Sequence, residues 1–351
     1  MQKFIIIHVS TIIRNNSVKY IYPLLIALLF ISCDESDIQN KIDENVTDTI
    51  QIVQNTEDLE STEEKVEDTT KNDINTTSDI TPITTVQEDD GVREKTLSFF
   101  AWNGISNYDK VLELQQGYQE PTIYLNPIDN GSRDNFTQNV EYLQKFDSKV
   151  WFLLSSSGDE NNPPMDYIQS QVDIITEYNS NHTKKIVGMM FDVESWIGIT
   201  EQNSSENIEI WSRYLTFLQE SKDILKSSNL QTGAVIPFWL DTITEAFVNG
   251  RAINYDVIDI VDETVIMDYT TDIQRFYNYA KSSLEYANNL KNKSIKIALE
   301  TTDVGDDKVS FYNHISDITP FLKTDITDNS FKGFSIHTLD SFANHNLKIT
   351  P

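Results

Sequence analysis

The sequence predicts an α/β fold, a (β/α)8 TIM barrel, and three observations lead to this prediction. Short runs rich in β-branched and aromatic residues recur between residue 96 and residue 351, and longer segments with apolar residues at helical spacing separate them. There are eight such alternations, the number that closes this type of barrel. No glycine-rich phosphate-binding turn follows the first run, so a doubly wound open sheet is the less favoured alternative.

The predicted strands each combine β-branched, aromatic or other apolar residues over a short run. In chain order they begin with SFFAW at 98–102, TIYL at 122–125, KVWFLL at 149–154 and IVGMMFD at 186–192. They continue with TGAVIPF at 232–238, ETVIMDY at 263–269, IKIALE at 295–300 and FKGFSIH at 331–337. Helical spacing of apolar residues predicts helices between them, for example over 135–145, 167–178, 207–227 and 273–289.

Composition limits the class of function. The chain has 55 acidic and 27 basic side chains, which gives a net charge of -28. Such a charge repels a phosphate backbone, so we expect no nucleic-acid partner. One cysteine and five histidines cannot assemble a Cys/His metal cluster, and we expect neither a metal nor another cofactor. We also expect a monomer.

Residues 1–32 are predicted to form a lipoprotein signal peptide. A basic region precedes an apolar run over 21–32, and this run ends at Cys33, the single cysteine of the chain. An apolar run of this length after a basic region is typical of a secretory signal. The segment LFISC resembles a bacterial lipobox, which implies lipidation of Cys33. We therefore expect lipid anchoring in the bacterial cell envelope, with an uncleaved membrane anchor as the alternative.

Residues 33–95 are predicted to be a disordered acidic linker that tethers the folded domain, residues 96–351, to the lipid anchor. From Asp34 to Lys95 the chain holds 19 acidic and 5 basic residues and no aromatic residue. Such a segment buries too little apolar surface to offset the entropy lost on ordering, and its charges repel one another. An acidic interaction segment is the alternative.

Polar and aromatic residues gather where the predicted strands end. In a (β/α)8 barrel these carboxyl ends meet at one face, which carries the chemistry. A carbohydrate cleft needs flat rings that stack on sugars, together with carboxyl and amide groups that bind hydroxyls and move protons. The candidate substrate-binding residues are Trp102, Asn103, Tyr124, Asn126, Trp239, Asp241, Asp268 and His337. A core role is the alternative for Trp102, Tyr124 and Trp239.

The alternation of side chains along a strand predicts which residues face the barrel interior. In the seventh strand the bulky positions suit the helix side, which leaves Glu300 pointing inward at the strand end. By the same argument, Asp192, Glu194 and His337 point inward and Val187 points outward. The like charge of Asp192 is expected to raise the pKa of Glu194, as an acid catalyst requires.

Two of these residues resemble the catalytic pair of a large clan of retaining glycosidase barrels. Glu194 and Glu300, at the ends of the fourth and seventh predicted strands, match the positions of the acid/base and the nucleophile of that clan. Val193 stands where the clan has Asn. The resemblance implies hydrolysis of a glycosidic bond by two carboxyl groups.

The fourth strand is also similar to that of the chitinase-like barrels of glycoside hydrolase family 18, which ends in Asp-Gly-x-Asp-x-Asp-x-Glu. This chain keeps Gly188, Asp192 and Glu194, and it has Val187 and Met190 at two of the acidic positions. The resemblance implies that Glu194 is the acid and that Asp192 assists the N-acetyl group of the substrate.

The sixth and eighth strands extend the comparison with family 18. The Met-x-Tyr of its sixth strand is matched by Met267-Asp268-Tyr269, which implies that Tyr269 also assists the N-acetyl group. His337 replaces the Trp of its eighth strand. In addition, the segments IPFW, MDY, ALET and GFSIH resemble a group of uncharacterised glycosidase-like barrel proteins.

These observations predict a glycoside hydrolase that acts on a poly- or oligosaccharide. Its predicted catalytic residues are Glu194, Glu300, Asp192 and Tyr269. The alternative is a non-catalytic glycan-binding surface lipoprotein, which the missing Asn and the missing acidic residues favour. A metal-assisted hydrolase is a third interpretation, and the low histidine content argues against it.

Overall fold

The computed structural model describes residues 96–114, 121–127, 133–157, 162–197, 207–243 and 249–348. The predicted signal peptide, the predicted lipidation at Cys33 and the predicted linker lie outside these residues. Within the described part of the chain, no helix is both long and apolar enough to cross a membrane.

Eight parallel strands form a closed barrel in which each strand pairs with the next and β8 pairs with β1. The strands are β1 Thr96–Ala101, β2 Thr122–Leu125, β3 Lys149–Ser157, β4 Gly188–Glu194, β5 Gln231–Pro237, β6 Glu263–Met267, β7 Ser294–Glu300 and β8 Phe331–His337. The predicted (β/α)8 barrel is therefore confirmed. The largest difference in bounds is at the end of β3, which continues three residues beyond the predicted run.

Helices surround the barrel and follow its strands. They are α1 Tyr108–Leu114, α2 Arg133–Lys145, α3 Met165–Asn181, α4 Ile208–Ser227, α5 Ile253–Ile260, α6 Ile273–Asn288, α7 Ile318–Leu322 and α8 Leu339–Asn344, with 3-10 helices at Phe238–Thr242 and Tyr312–Asp317. Their apolar faces pack on the outward residues of the strands, among them Ile123, Met189 and Ile297. This shell between strands and helices is the larger of two hydrophobic cores.

The second core fills the interior of the barrel. It consists of Phe100, Tyr124, Trp151, Leu153, Met190, Val235, Val265 and Ala298. Because Met189 and Phe191 belong to the outer core and Met190 to the inner one, the predicted alternation in β4 is confirmed. Val187 instead packs against the inner core, and its predicted outward orientation is wrong. The reason is that β4 begins at Gly188, so the alternation does not extend back to Val187.

Gly333 adjusts the alignment of β7 and β8. Its φ is +120°, a value that L side chains rarely adopt, and a Cβ atom there would lie 2.1 Å from the carbonyl oxygen of Thr96. Close to this glycine, the register between β7 and β8 shifts by one residue. Beyond the shift, Glu300 pairs with His337 at the carboxyl end of the two strands. The bulge therefore brings these two side chains together.

Candidate functional site

The carboxyl ends of the strands form what we call the mouth. It contains Trp102 after β1, Asp192 and Glu194 of β4, Tyr269 after β6, Glu300 of β7 and His337 of β8. All six were predicted from the sequence to be site residues. Hydrogen bonds, ring contacts and charge interactions join the ends of five strands in the mouth: β1, β4, β6, β7 and β8.

Asp192 lies on the inner side of β4, because side chains alternate along a strand and its neighbours Phe191 and Val193 are in the outer core. Its Oδ1 atom is buried and has no hydrogen-bond partner among the residues that the structure describes. Burial raises the pKa of Asp192 to about 6, although His337 acts in the opposite direction. Asp192 is therefore mainly ionised at neutral pH.

Glu194 lies two residues further along β4 and points to the same side of the strand. Burial, and after it the negative charge of Asp192, raise the pKa of Glu194 to about 8, while His337 acts in the opposite direction. The expected effect of Asp192 is therefore present, but burial contributes more. At neutral pH Glu194 is mainly protonated, which is the state that a general acid needs.

Glu300 is fully buried, and both of its carboxylate oxygens accept hydrogen bonds. Oε1 accepts hydrogen bonds from the backbone N–H of Thr302 at 2.6 Å and from its hydroxyl at 2.7 Å. Oε2 lies 2.8 Å from Nδ1 of His337. Trp102 extends this network, because its indole N–H donates to Nε2 of His337 at 2.9 Å.

Tyr269 places its ring 6.0 Å from that of His337, centroid to centroid. Burial, and then the negative charges of Glu300, Asp192 and Glu194, raise the pKa of Tyr269 well above its ordinary value. Its hydroxyl therefore stays protonated. None of the other described residues is hydrogen-bonded to this hydroxyl, which leaves it available to a ligand.

Asp268, the residue before Tyr269, is fully buried. Neither of its carboxyl oxygens has a hydrogen-bond partner in the described part of the chain. Burial raises the pKa of Asp268 to about 9, so this carboxyl is protonated at neutral pH. The charges that act on Tyr269 come from Glu300, Asp192 and Glu194. Among the described residues, Asp268 therefore forms no hydrogen bond with the charged groups of the mouth.

The remaining predicted residues are dispersed. Trp239 packs in the outer core with its ring centroid 6.3 Å from those of Trp196 and Trp211, which agrees with the alternative core role. Asp241 accepts a hydrogen bond from Ser282 of α6 at 2.9 Å. Asn103 is exposed after β1. Asn126 is buried after β2, where its backbone N–H donates to Ala101.

For Tyr124, the structure agrees with the alternative core role and not with the predicted substrate-binding role. Tyr124 is fully buried inside the barrel. Its hydroxyl donates to Oε1 of Glu263 at 2.7 Å and accepts a hydrogen bond from Nζ of Lys296 at 3.1 Å. Ser294 donates to the other carboxylate oxygen of Glu263 at 3.1 Å. We call these four residues the amino-end cluster, since Glu263 and Ser294 begin β6 and β7.

Two residues that contact or influence the mouth were not predicted from the sequence. Thr302 holds Glu300, and its position two residues later is the only sequence signal for this contact. Tyr214, on α4, has a buried hydroxyl without a partner in the described residues. Burial and the charges of Asp192 and Glu194 raise the pKa of Tyr214. Its place on a helix predicts only a core residue.

The expected absence of a metal site remains a prediction. Among the residues that the structure describes, no group of three or more His, Cys, Asp or Glu side chains is arranged to hold a metal ion. Carboxyl groups dominate the mouth, and its one imidazole is already bonded to Trp102 and Glu300.

No protein-family model and no curated protein matches this sequence. Among solved structures, the chain is similar to a GH18 chitinase from Pseudoalteromonas aurantia, with 11% identity, a TM-score of 0.46 and coverage of 71% of this chain and 99% of that one. It is similar to the spore cortex-lytic enzyme SleL of Bacillus megaterium, with 11% identity, a TM-score of 0.42 and coverage of 73% and 75%. A xylanase and alpha-amylase inhibitor protein from Scadoxus multiflorus has 10% identity, a TM-score of 0.40 and coverage of 72% and 96%.

Proposed function

We propose that the protein is a glycoside hydrolase in which Glu194 is the general acid and Asp192 and Tyr269 assist an N-acetyl group of the substrate. The observation that carries this proposal is the state of the β4 carboxyl pair. Glu194 has a pKa above neutrality, beside an Asp192 whose Oδ1 has no partner in the described residues. Two carboxyl groups with separated pKa values are the usual sign of an acid and its charged partner.

In the first step, protonated Glu194 gives its proton to the glycosidic oxygen while the bond from that oxygen to the anomeric carbon breaks. The carbonyl oxygen of the neighbouring N-acetyl group forms a bond to the anomeric carbon in its place, as in substrate-assisted glycosidases. The Asp192 carboxylate accepts a hydrogen bond from the acetamido N–H, and the Tyr269 hydroxyl donates one to the acetyl oxygen. In the second step, ionised Glu194 takes a proton from water, and the water oxygen attacks the anomeric carbon while the bond from that carbon to the acetyl oxygen breaks. This restores the N-acetyl group and protonated Glu194, with net retention at the anomeric carbon.

This proposal gives Glu300 a positioning role in place of the predicted nucleophile role. Both of its oxygens are already engaged, one by Thr302 and the other by His337. Hydrogen bonds to a carboxylate are strong because the acceptor is charged, and they weaken the carboxylate as a nucleophile. By contrast, the carboxyl oxygens of Asp192 and Glu194 accept no hydrogen bond from the residues that the structure describes.

The test is hydrolysis of the p-nitrophenyl glycosides of N-acetylglucosamine and its oligomers, with the corresponding glucose series lacking the acetamido group as control substrates. We expect turnover of the N-acetyl series only, and a loss of about 10²- to 10⁴-fold in kcat for Glu194→Gln. The matched control variant is Asp303→Asn, because Asp303 is an exposed acid in the loop after β7. Equal turnover by Glu194→Gln and the wild type would contradict the assignment.

The second candidate function is glycan binding without catalysis. It is favoured by Met190, which occupies an acidic position of the family 18 pattern and is a buried residue of the inner core. The match at Gly188 has a structural explanation, because a Cβ atom there would lie 2.0 Å from the carbonyl oxygen of Gln231. Calorimetric binding of N-acetylglucosamine oligomers, with no product released by the wild type, would favour this candidate.

We further propose that Cys33 is lipidated and anchors the domain to a membrane of the cell envelope. The support is the position of the single cysteine at the end of an apolar run that follows a basic region. Expression in a bacterium, followed by detergent phase partition, tests it. The wild type is expected in the detergent phase and Cys33→Ser in the aqueous phase. Equal partition of the two would contradict lipidation.

A further inference from the structure

Hydrogen bonding fixes the proton of His337. The indole nitrogen of Trp102 is a donor only, so Nε2 of His337 must be the acceptor of the 2.9 Å bond between them. The single proton of a neutral imidazole is then on Nδ1, which donates to Oε2 of Glu300 at 2.8 Å. In this arrangement His337 is uncharged. Its Nε2 accepts the hydrogen bond from Trp102, and its Nδ1–H donates to Glu300.

Charge interactions favour the other protonation state. Besides Glu300 of β7, the titratable groups that act on His337 are Asp192 and Glu194 of β4. The ring of Tyr269 after β6 also faces it, whereas β1 contributes the uncharged rings of Phe100 and Trp102. Burial lowers the pKa of His337, but Glu300, Asp192 and Glu194 outweigh this effect and hold the pKa above its ordinary value.

The two states are incompatible with the same position of Trp102. When His337 is an imidazolium, Nε2 carries a hydrogen and cannot accept one, so two N–H groups would face each other at a hydrogen-bond distance. Apart from His337, the ring contact of Trp102 is with Phe100, at 6.2 Å between centroids and nearly parallel. That contact does not restrain the indole N–H. Trp102 is half-buried, so part of its side chain faces solvent.

We propose that His337 is a positioning residue for Trp102, holding the indole in place when neutral and releasing it when protonated. Glu300 sets the pH at which this change occurs, because it binds the proton-carrying side of the imidazole. The consequence for sugar binding rests on the proposed function, since Trp102 would then be the aromatic platform of the cleft. The positioning itself involves no carbohydrate.

The experiment is a pH titration of the full chain by NMR without ligand, from pH 5 to pH 9. The indole N–H resonance of Trp102 is assigned with Trp102→Phe, and the ring resonances of His337 are followed in parallel. We expect the Trp102 resonance to move upfield as the pH falls, with the same midpoint as His337, because the proton loses its acceptor. The resonance of Trp151, buried in the inner core, should stay in place and report an intact fold.

Three variants make the result specific. His337→Gln keeps an acceptor for Trp102 and a donor for Glu300 but cannot titrate, so the Trp102 resonance should be independent of pH. Glu300→Gln should lower the midpoint by about 1 pH unit, because the imidazolium loses its nearest anionic partner. The matched control is His182→Gln, since His182 stacks on Tyr178 at the end of α3 and contacts no tryptophan in the described residues.

Several outcomes would overturn the proposal. It is wrong if Trp102 does not respond while His337 titrates, or if His337 does not titrate between pH 5 and pH 9. An unchanged midpoint in Glu300→Gln would remove Glu300 from the account. None of these results depends on turnover, so failure of the positioning role and failure of the proposed hydrolase activity are separate observations.

Discussion

The amino-end cluster and the mouth are both built from inward-facing side chains of the same barrel, and their carboxyl groups differ in how they are paired. Glu263, in the amino-end cluster, is bonded to Tyr124 and Ser294 and lies 3.4 Å from the Lys296 ammonium group. In the mouth, the Asp192 and Glu194 carboxyls have no cationic partner other than His337 among the described residues.

This difference is the reason for assigning a structural role to the amino-end cluster and the proposed catalytic role to the mouth. A buried ion pair with complete hydrogen bonding holds its surroundings in place, and removing one partner leaves a costly buried charge. Buried carboxyls without partners cost free energy and persist where their shifted pKa values serve chemistry. Burial alone does not separate the two roles, since Glu263 of the amino-end cluster and Glu300 of the mouth are both buried.

The largest effect is expected from Lys296→Met in the amino-end cluster. The variant leaves Glu263 buried without its cation, and the free energy of unfolding should fall by about 3–5 kcal/mol, measured by urea denaturation. The double variant Lys296→Met/Glu263→Leu removes both charges and should recover much of that loss. If Lys296→Met were as stable as the wild type, the cluster would not have the structural role given to it.

The pH dependence of kcat/KM should reveal the unpaired carboxyls of the mouth. Activity requires ionised Asp192, so it should fall below about pH 6, and it requires protonated Glu194, so it should fall above about pH 8. Outside these limits the decrease should be about tenfold per pH unit. A flat profile between pH 4 and pH 9 would show that neither group titrates in the productive complex.

The raised pKa of Glu194 should also make the stability of the folded protein depend on pH. The pKa of Glu194 is raised from 4.5 to about 8 in the folded protein. Between these values the folded state binds more protons than the unfolded state, so its stability falls as the pH rises. Glu194→Gln should lessen that fall, as measured by urea denaturation at pH 5 and pH 8.5. A steeper fall in the variant would reverse the sign of this linkage.

A smaller effect is expected from Asp192→Asn. Burial is the first cause of the raised pKa of Glu194 and the negative charge of Asp192 the second. Removing that charge should lower the midpoint of Glu194 by about 1 pH unit, followed by NMR of its carboxyl carbon. Equal midpoints in the variant and the wild type would leave burial as the sole cause.

Ser294→Ala should have the smallest effect. It removes one of the hydrogen bonds to Glu263 and should lower the free energy of unfolding by about 1 kcal/mol without any change in kcat. Ser316→Ala, at an exposed position, is the control and should change stability by less than about 0.5 kcal/mol. A loss of activity in Ser294→Ala would mean that catalysis in the mouth depends on the hydrogen bonds of the amino-end cluster.

The fold was predictable because strand alternation and the order of apolar runs are local properties of the sequence. The runs at 122–125 and 331–337 coincide with β2 and β8. Depth inside the barrel is not local, and for this reason the sequence left open whether Tyr124 binds substrate or belongs to the core, which is where the structure places it. Alternation gives the side of a strand and not the layer in which the side chain lies.

The side-chain contacts of Glu300 in the mouth could not be predicted from the sequence either. Alternation predicts that Glu300 and His337 both point inward, but their contact depends on the register shift near Gly333. The engagement of Glu300 by Thr302 depends on the turn that follows β7. Three-dimensional contacts therefore decide which of the inward carboxyls is free to act and which is held.

The most direct test of the central claim is the titration of the Glu194 carboxyl carbon in the wild-type protein by NMR, with Glu194→Gln to assign the resonance. A midpoint near pH 8 is expected, so that Glu194 carries a proton at neutral pH and can act as the general acid. A midpoint near its ordinary value of 4.5 would contradict it, because Glu194 would then be an ionised, solvated carboxylate with no proton to give.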